Sequence, residues 1–101
     1  MNQMQQMLMQ AQKMQRELMK EHEALASQEF SVSKAGMVDV VMLGNRTIKS
    51  IHLDKDALLG DNEEMLEETI TMAINEALKK VEDANAAIDE KVTGAKGGLP
   101  F

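Results

Sequence analysis

Residues 2–26 run without a Gly or Pro and are dominated by the strong helix formers Gln, Met, Leu, Glu, Lys and Ala. Apolar side chains recur at Met4, Met7, Ala11, Met14, Leu18 and Leu25 in steps of three or four, with one polar interruption at Glu21 and with Leu8 widening the stripe. This is an a/d heptad pattern over about three repeats, and it predicts one helix across the segment. Such a helix is about 36 Å long at ~1.5 Å per residue. A compact chain of 101 residues has a radius of gyration of only about 13 Å. The helix must therefore overhang its own domain. An overhanging apolar stripe needs a partner, and the simplest is a second copy of the chain, with Met4, Met7, Met14 and Leu18 at the interface.

The core points the same way. Two Phe are the only aromatic residues, and ten Met stand in as adaptable core fillers. A small core without large rings leaves apolar area to be buried elsewhere, a subunit interface being the obvious place.

Beyond residue 27 the hydrophobic period changes from helical to alternating. Phe30 and Val32 alternate with polar residues, Ala35-Gly36 breaks the chain, and Val38, Val40 and Met42 alternate again. Gly44-Asn45 is a turn signal, and Thr47 to Leu53 forms a further run with Ile51 and Leu53 on one face. Residues 28–53 thus read as three antiparallel strands. After a connector, Asp61 reads as a helix N-cap with Glu64 as its capping-box partner. The second helix is expected over 62–91. Its stripe of Leu66, Ile70, Ala73, Ile74, Ala77, Leu78, Val81, Ala84 and Ile88 should cover one sheet face. Residues 92–101, rich in Gly, read as a flexible tail. The result is a single α+β domain over 1–101: arm helix, three-stranded antiparallel sheet, second helix, tail.

The net charge of −6 is not spread evenly. Residues 1–26 and 27–60 are each neutral, whereas residues 61–101 carry four Lys against ten acids. Lys13, Arg16 and Lys20, at i, i+3 and i+7, share a helix face away from the apolar stripe. Two uses fit that spacing: phosphate contacts, which give sequence-independent and salt-sensitive affinity, or a solvated face with local pairs such as Lys13–Glu17. Lys79 and Lys80, with Lys91 and Lys96 beyond them, either extend a basic surface or suit the negative end of a helix dipole. Arg46 and Lys49 flank the second turn, where they either touch phosphate or blunt a sheet edge.

Other chemistries find little in the chain. There is no Cys, so disulfide and thiolate chemistry are excluded. His22 and His52 belong to no cluster of metal-ligand spacing. The acidic run Asp61, Glu63, Glu64, Glu67 and Glu68 lacks the alternate positions and Gly turn of a calcium loop, and suits helix capping and solvation. No nucleophile elbow, phosphate-binding loop or dinucleotide motif occurs, so neither an enzyme, a cofactor nor a small-molecule substrate is expected. Base stacking of the single-strand binders is ruled out almost entirely by the lack of Trp and Tyr. No apolar run is long enough to span a bilayer, and the N-terminus lacks signal-peptide character. A cytoplasmic location is expected.

The ordered set of motifs resembles the YbaB/EbfC family of bacterial nucleoid-associated proteins. It comprises the opening MQQMLMQAQKMQ, Gly36-Met37-Val38-Asp39-Val40, Gly44, Ile51-His52-Leu53-Asp54, Leu58-Leu59, the segment LEETITMAINEALKKVEDA, and a Thr-Gly…Gly-Leu-Pro ending. It runs from about residue 4 to residue 101. Lys55 stands where the family usually has Pro, and residues 34–36 hold one Gly where relatives are often Gly-rich. The resemblance implies a homodimer joined through the sheet region, with Val38 and Val40 at the interface and the long helices projecting as paired arms. It further implies binding of double-stranded DNA and altered DNA conformation at the nucleoid. On that footing Lys13, Arg16, Lys20, Arg46, Lys49, Lys79 and Lys80 are the candidate DNA contacts. The rival is a protein–protein adaptor whose Met-rich arms grip a partner helix.

Overall fold

A computed structural model describes residues 2–94. The elements follow in the order α1 (Gln3–Ala26), β1 (Glu29–Lys34), β2 (Val38–Leu43), β3 (Ile48–Leu53), a short 3₁₀ turn (Lys55–Leu58) and α2 (Glu63–Thr93). The α+β arrangement matches the expectation. From residue 95 onward the expected tail lies outside the described residues, and residues 92 and 93 belong to α2.

Helix α1 starts at a capping box that the sequence reading missed. The Asn2 side chain accepts from the Gln5 backbone N–H at 2.8 Å, and the Gln5 side chain accepts from the Asn2 N–H at 3.4 Å. Two otherwise orphaned donors are satisfied at the far end of the arm. The box expected at α2 does not form. Asn62, not Asp61, is the N-cap, and its backbone (φ −121°, ψ 23°) makes no side-chain cap hydrogen bond. An extended cap residue is what aims a side chain back at the first-turn N–H groups, and Asn62 is not extended.

The strands form one antiparallel sheet in the order β1-β2-β3. Ala35 (φ 55°) and Gly36 (φ 65°) are both left-handed, and the Met37 N–H donates to the Lys34 carbonyl at 2.9 Å, as in a type I′ turn. The second hairpin uses the three-residue loop Gly44-Asn45-Arg46, with Arg46 left-handed at φ 70°. Val41 pairs with Ser50 and Met42 with Ile48, which leaves Lys49 as the extra residue of a bulge.

One face of the sheet packs against α2. Val32, Val38, Val40 and Met42 meet Ala73, Ala77 and Val81, with Phe30, Leu66, Ile70, Ile74 and Leu78 around them. The two alanines let the helix lie close to the sheet. Helix α2 lies over β1 and β2. A helix is about 10–12 Å across with its side chains, so it spans roughly two strands at their ~4.8 Å spacing. Of the inner face of β3 only Leu53 packs against the core, and Ile48 and Ile51 are left exposed.

The C-terminal end of α1 packs against the C-terminal half of α2, and the rest of α1 projects. The chain measures 72 × 20 × 13 Å with a radius of gyration of 19.5 Å, well above the compact value of about 13 Å. The overhang expected from the length of the first helix is present.

Candidate nucleic-acid interface

At 100° per residue, Lys13, Arg16 and Lys20 fall within a sector of about 60°, almost opposite the stripe of Met4, Met7, Ala11, Met14 and Leu18. All three cations are exposed. None has an ion-pair or hydrogen-bond partner among the described residues. Lys13–Glu17, the local pair that the spacing allowed, is not formed. From residue 2 to residue 20 the three face a single acid, Glu17.

The four candidates on the body are placed differently. Arg46 lies 3.6 Å from Glu82, and Lys49 lies 2.9 Å from Glu29. Lys79 is bound by Asp83 at 3.0 Å, and Lys80 donates to the Ser31 carbonyl at 3.0 Å. Lys91 reaches Glu21 at 3.5 Å. These contacts are exposed and individually weak, roughly 0–1 kcal/mol each. A phosphate meeting those side chains would nonetheless displace a carboxylate or carbonyl, whereas one meeting the arm displaces only water and counterions. Lys55, on the connector, is the other cation without a protein partner among the described residues.

Sequence reading overlooked one pair. Lys34 Nζ sits 2.6 Å from Glu76 Oε2, tying the end of β1 to α2. The hydrogen bond from Lys34 holds the Glu76 carboxyl below its ordinary value of 4.5; desolvation opposes this, and the charges of Lys34 and Lys80 add to it. The acids Asp61, Glu63, Glu64, Glu67 and Glu68 are all exposed and unpaired among the described residues, as expected of a solvated, dipole-favoured first turn.

The expected interface residues divide in two. Met4 and Met7 are 78% and 67% exposed, and Met14 and Leu18 are half-buried. Val38 and Val40 are 2% and 0% exposed within a single chain. Their side chains are already covered by α2, so they have no surface left to offer a partner. The apolar surface that the sheet does offer is on β3. Ile48 and Ile51, opposite Met42 and Val40, are 40% and 43% exposed, and Leu58 and Leu59 are exposed just beyond. A count of strand width against helix width would have found them.

His52 lies on β3 opposite Asp39, and His22 lies between the helices. Among the described residues no group of three His, Cys, Asp or Glu side chains could hold a metal ion, and no helix is long and apolar enough to cross a membrane.

A long helix carrying free cations outward from an acidic α+β body defines a candidate polyanion-binding architecture. The chain belongs to the YbaB/EbfC DNA-binding family, whose model matches residues 1–96. It is 39% identical over 97 residues to a nucleoid-associated protein of Francisella philomiragia, covering 95% of this chain and 86% of the relative. It is 36% identical over 95 residues to one from Ruminiclostridium cellulolyticum (93% and 83% covered). A third, from Acetivibrio thermocellus, is 39% identical over 92 residues (90% and 81% covered). The family is described by DNA binding, not by a reaction.

Proposed function

We propose that this protein binds double-stranded DNA as a homodimer, chiefly through phosphate contacts, and alters DNA conformation at the bacterial nucleoid in the cytoplasm. Family membership supplies the class of ligand. The observation that carries the reading further is the contrast between Lys13, Arg16 and Lys20, all without protein partners among the described residues, and the paired cations of the body. Arg46, Lys49, Lys79 and Lys80 are then secondary contacts, engaged only after their carboxylate or carbonyl partners are released. Arg16 and Arg46 are the only Arg in the chain, and bidentate guanine readout is chiefly an Arg contact. Weak sequence preference follows.

The homodimer reading rests on uncovered apolar surface. Met4, Met7, Met14 and Leu18 run along the arm, and Ile48 and Ile51 stand on the exposed part of the inner face of an edge strand. A long apolar edge strand left open is an aggregation hazard unless a defined partner covers it. No catalytic step is assigned to any residue.

A duplex titration across a range of salt concentrations, with light scattering in parallel, tests the proposal. Wild type should have twice the chain mass and a steep salt dependence. Replacing Lys13, Arg16 and Lys20 together with Ala removes six cations per dimer and should lower the log–log salt slope by up to ~5, at about 0.9 per phosphate contact. Equal affinity and slope for wild type and the triple variant would remove the arm from the DNA site. Absence of any duplex binding at low salt, with a protein helix captured by the Met stripe, would favour the adaptor reading.

A further inference from the structure

The arm is held to the body at one end only. From residue 2 to residue 17 all but Met14 are exposed. Contact with the body is concentrated where Leu18, Glu21, His22, Leu25 and Ala26 lose exposure. Most of these make apolar or loose contacts, and Glu21 meets Lys91 only at 3.5 Å. His22 differs. Its Nδ1 lies 2.7 Å from Asn85 Oδ1 and its Nε2 lies 2.8 Å from Asp89 Oδ1, so one side chain of α1 spans two successive turns of α2.

The Asn85 amide is itself fixed. Its Nδ2 donates to the Val81 carbonyl at 2.9 Å and to the Gly44 carbonyl at 3.4 Å. That orientation turns Oδ1 toward His22. The ring is thereby linked through one amide to α2 and to the β2–β3 loop, and through Asp89 to the next turn of α2. Apolar contacts resist separation of two helices but resist rotation poorly, whereas a directional two-point clamp resists both.

Leverage makes this contact matter. Lys13 lies nine residues before His22, about 13 Å along the helix, and Gln3 lies about 28 Å away. A swing of 20° at His22 moves Lys13 by about 5 Å and the arm tip by about 10 Å, distances computed from that rise. Five ångströms is larger than the reach of an ion pair, so a loose root would scatter Lys13 relative to Lys20, which lies only about 3 Å from His22 and moves about 1 Å, and the face would match no single phosphate track.

We infer that His22 is a positioning residue for DNA binding: through Asn85 and Asp89 it fixes the angle at which the arm leaves the body, and with it the place of the Lys13–Lys20 face. This inference rests on the arm being the DNA-contacting element.

The absence of Cys allows two introduced labels to be the only ones. Spin labels at Gln10→Cys on the arm and Asn75→Cys on α2, both exposed positions, report the arm–body distance. Labelled chain is diluted into excess unlabelled chain so that the distance read is within one chain. Wild type should give one narrow distribution. His22→Ala should broaden it and weaken duplex binding about fivefold for each hydrogen bond lost, at ~1 kcal/mol apiece. Asp89→Ala, which removes a surface acceptor and leaves the packing in place, should give a smaller change in the same direction, and His22→Gln, which keeps a donor, should restore part of both readouts. A narrow distribution in His22→Ala and Asp89→Ala, or a broad one with unchanged affinity, overturns the inference. If the triple arm variant binds duplex as wild type does, the DNA reading of the arm fails, and the distance data alone then decide whether His22 holds the arm.

Discussion

Gly44 is the residue whose replacement the structure judges most harshly. Its φ is ordinary, so backbone strain is not the reason. A Cβ built there would lie 1.9 Å from the Leu25 carbonyl oxygen, 2.6 Å from its carbon and 3.1 Å from Leu25 Cγ. The obstacle is mostly backbone, at the last turn of α1, and cannot rotate away. Relief requires the hairpin to move off the helix. That movement would strain the Gly44 N–H bond to the Gln28 carbonyl (3.0 Å) and the Asn85 bond to the Gly44 carbonyl (3.4 Å). Overpacking costs about 1–3 kcal/mol, and each lost hydrogen bond adds about 1 kcal/mol. Gly44→Ala should therefore cost roughly 3–5 kcal/mol, a large share of the ~5–15 kcal/mol that stabilises a domain. The control is Gly36→Ala. There φ is +65° with open space around the Cβ, so only the left-handed penalty of about 1–2 kcal/mol applies. Urea denaturation of wild type and both variants, at one protein concentration because the stability of the proposed dimer depends on it, supplies the numbers. Gly44→Ala within 1 kcal/mol of wild type, or less damaging than Gly36→Ala, would refute the idea that the hairpin and the root of the arm are in backbone contact.

Three further outcomes are expected. Ala35 occupies a left-handed position of the first turn, so Ala35→Asn should stabilise the fold by about 0.5–1 kcal/mol, read as a higher urea midpoint at unchanged slope. The Glu76 carboxyl is held below 4.5 by its hydrogen bond from Lys34; a depressed folded value means stability that is present above 4.5 and lost as pH falls through the folded value, so Glu76→Gln should lower stability slightly at neutral pH, leave it nearly unchanged at low pH, and thereby flatten the acid limb of a stability–pH curve. Ile51→Lys places a charge on the exposed part of the β3 inner face and should raise the dissociation constant of the proposed dimer about tenfold or more, seen by light scattering on dilution; an unchanged mass would move the interface elsewhere.

How much of this was legible in the sequence differs by element. The arm was, because 25 residues without Gly or Pro leave the chain no route back to its own domain. The α2 stripe was legible for the same periodic reason, and both hairpin turns announced themselves through Gly36 and Gly44. The caps were not. Asp61 with Glu64 has the spacing of a capping box, and the backbone at Asn62 withholds the geometry, while the box that forms is Asn2–Gln5. Val38 and Val40 show the limit most clearly. Alternation says that a residue faces an apolar neighbour, not whether that neighbour is a helix of the same chain or a second subunit. The pairing of the cations was equally hidden, since Lys34–Glu76, Arg46–Glu82 and Lys49–Glu29 join residues 20 to 42 positions apart. His22 gave no signal, because its partners lie 63 and 67 residues away.

The charge arrangement resolves how a chain of net charge −6 can present itself to a polyanion. Among the described residues the body pairs most of its cations with acids, Lys55 and Lys80 excepted, and keeps an excess of acids on α2, so it repels phosphate at close range. At physiological salt that repulsion fades beyond about 8 Å. The arm carries Lys13 about 13 Å and Arg16 about 9 Å from its root at His22, beyond the screening distance of the acids around that root, while Lys20, about 3 Å away, stays within it. A net acidic body and a cationic arm are therefore compatible because the arm is long and stiff. The same arithmetic predicts that deleting residues 14–20 from an Arg16→Ala, Lys20→Ala background, which draws Lys13 from about 13 Å to about 3 Å from the root, would weaken duplex binding relative to that background more at low salt than at high salt. Equal weakening at both would mean that the distance from the body has no electrostatic role.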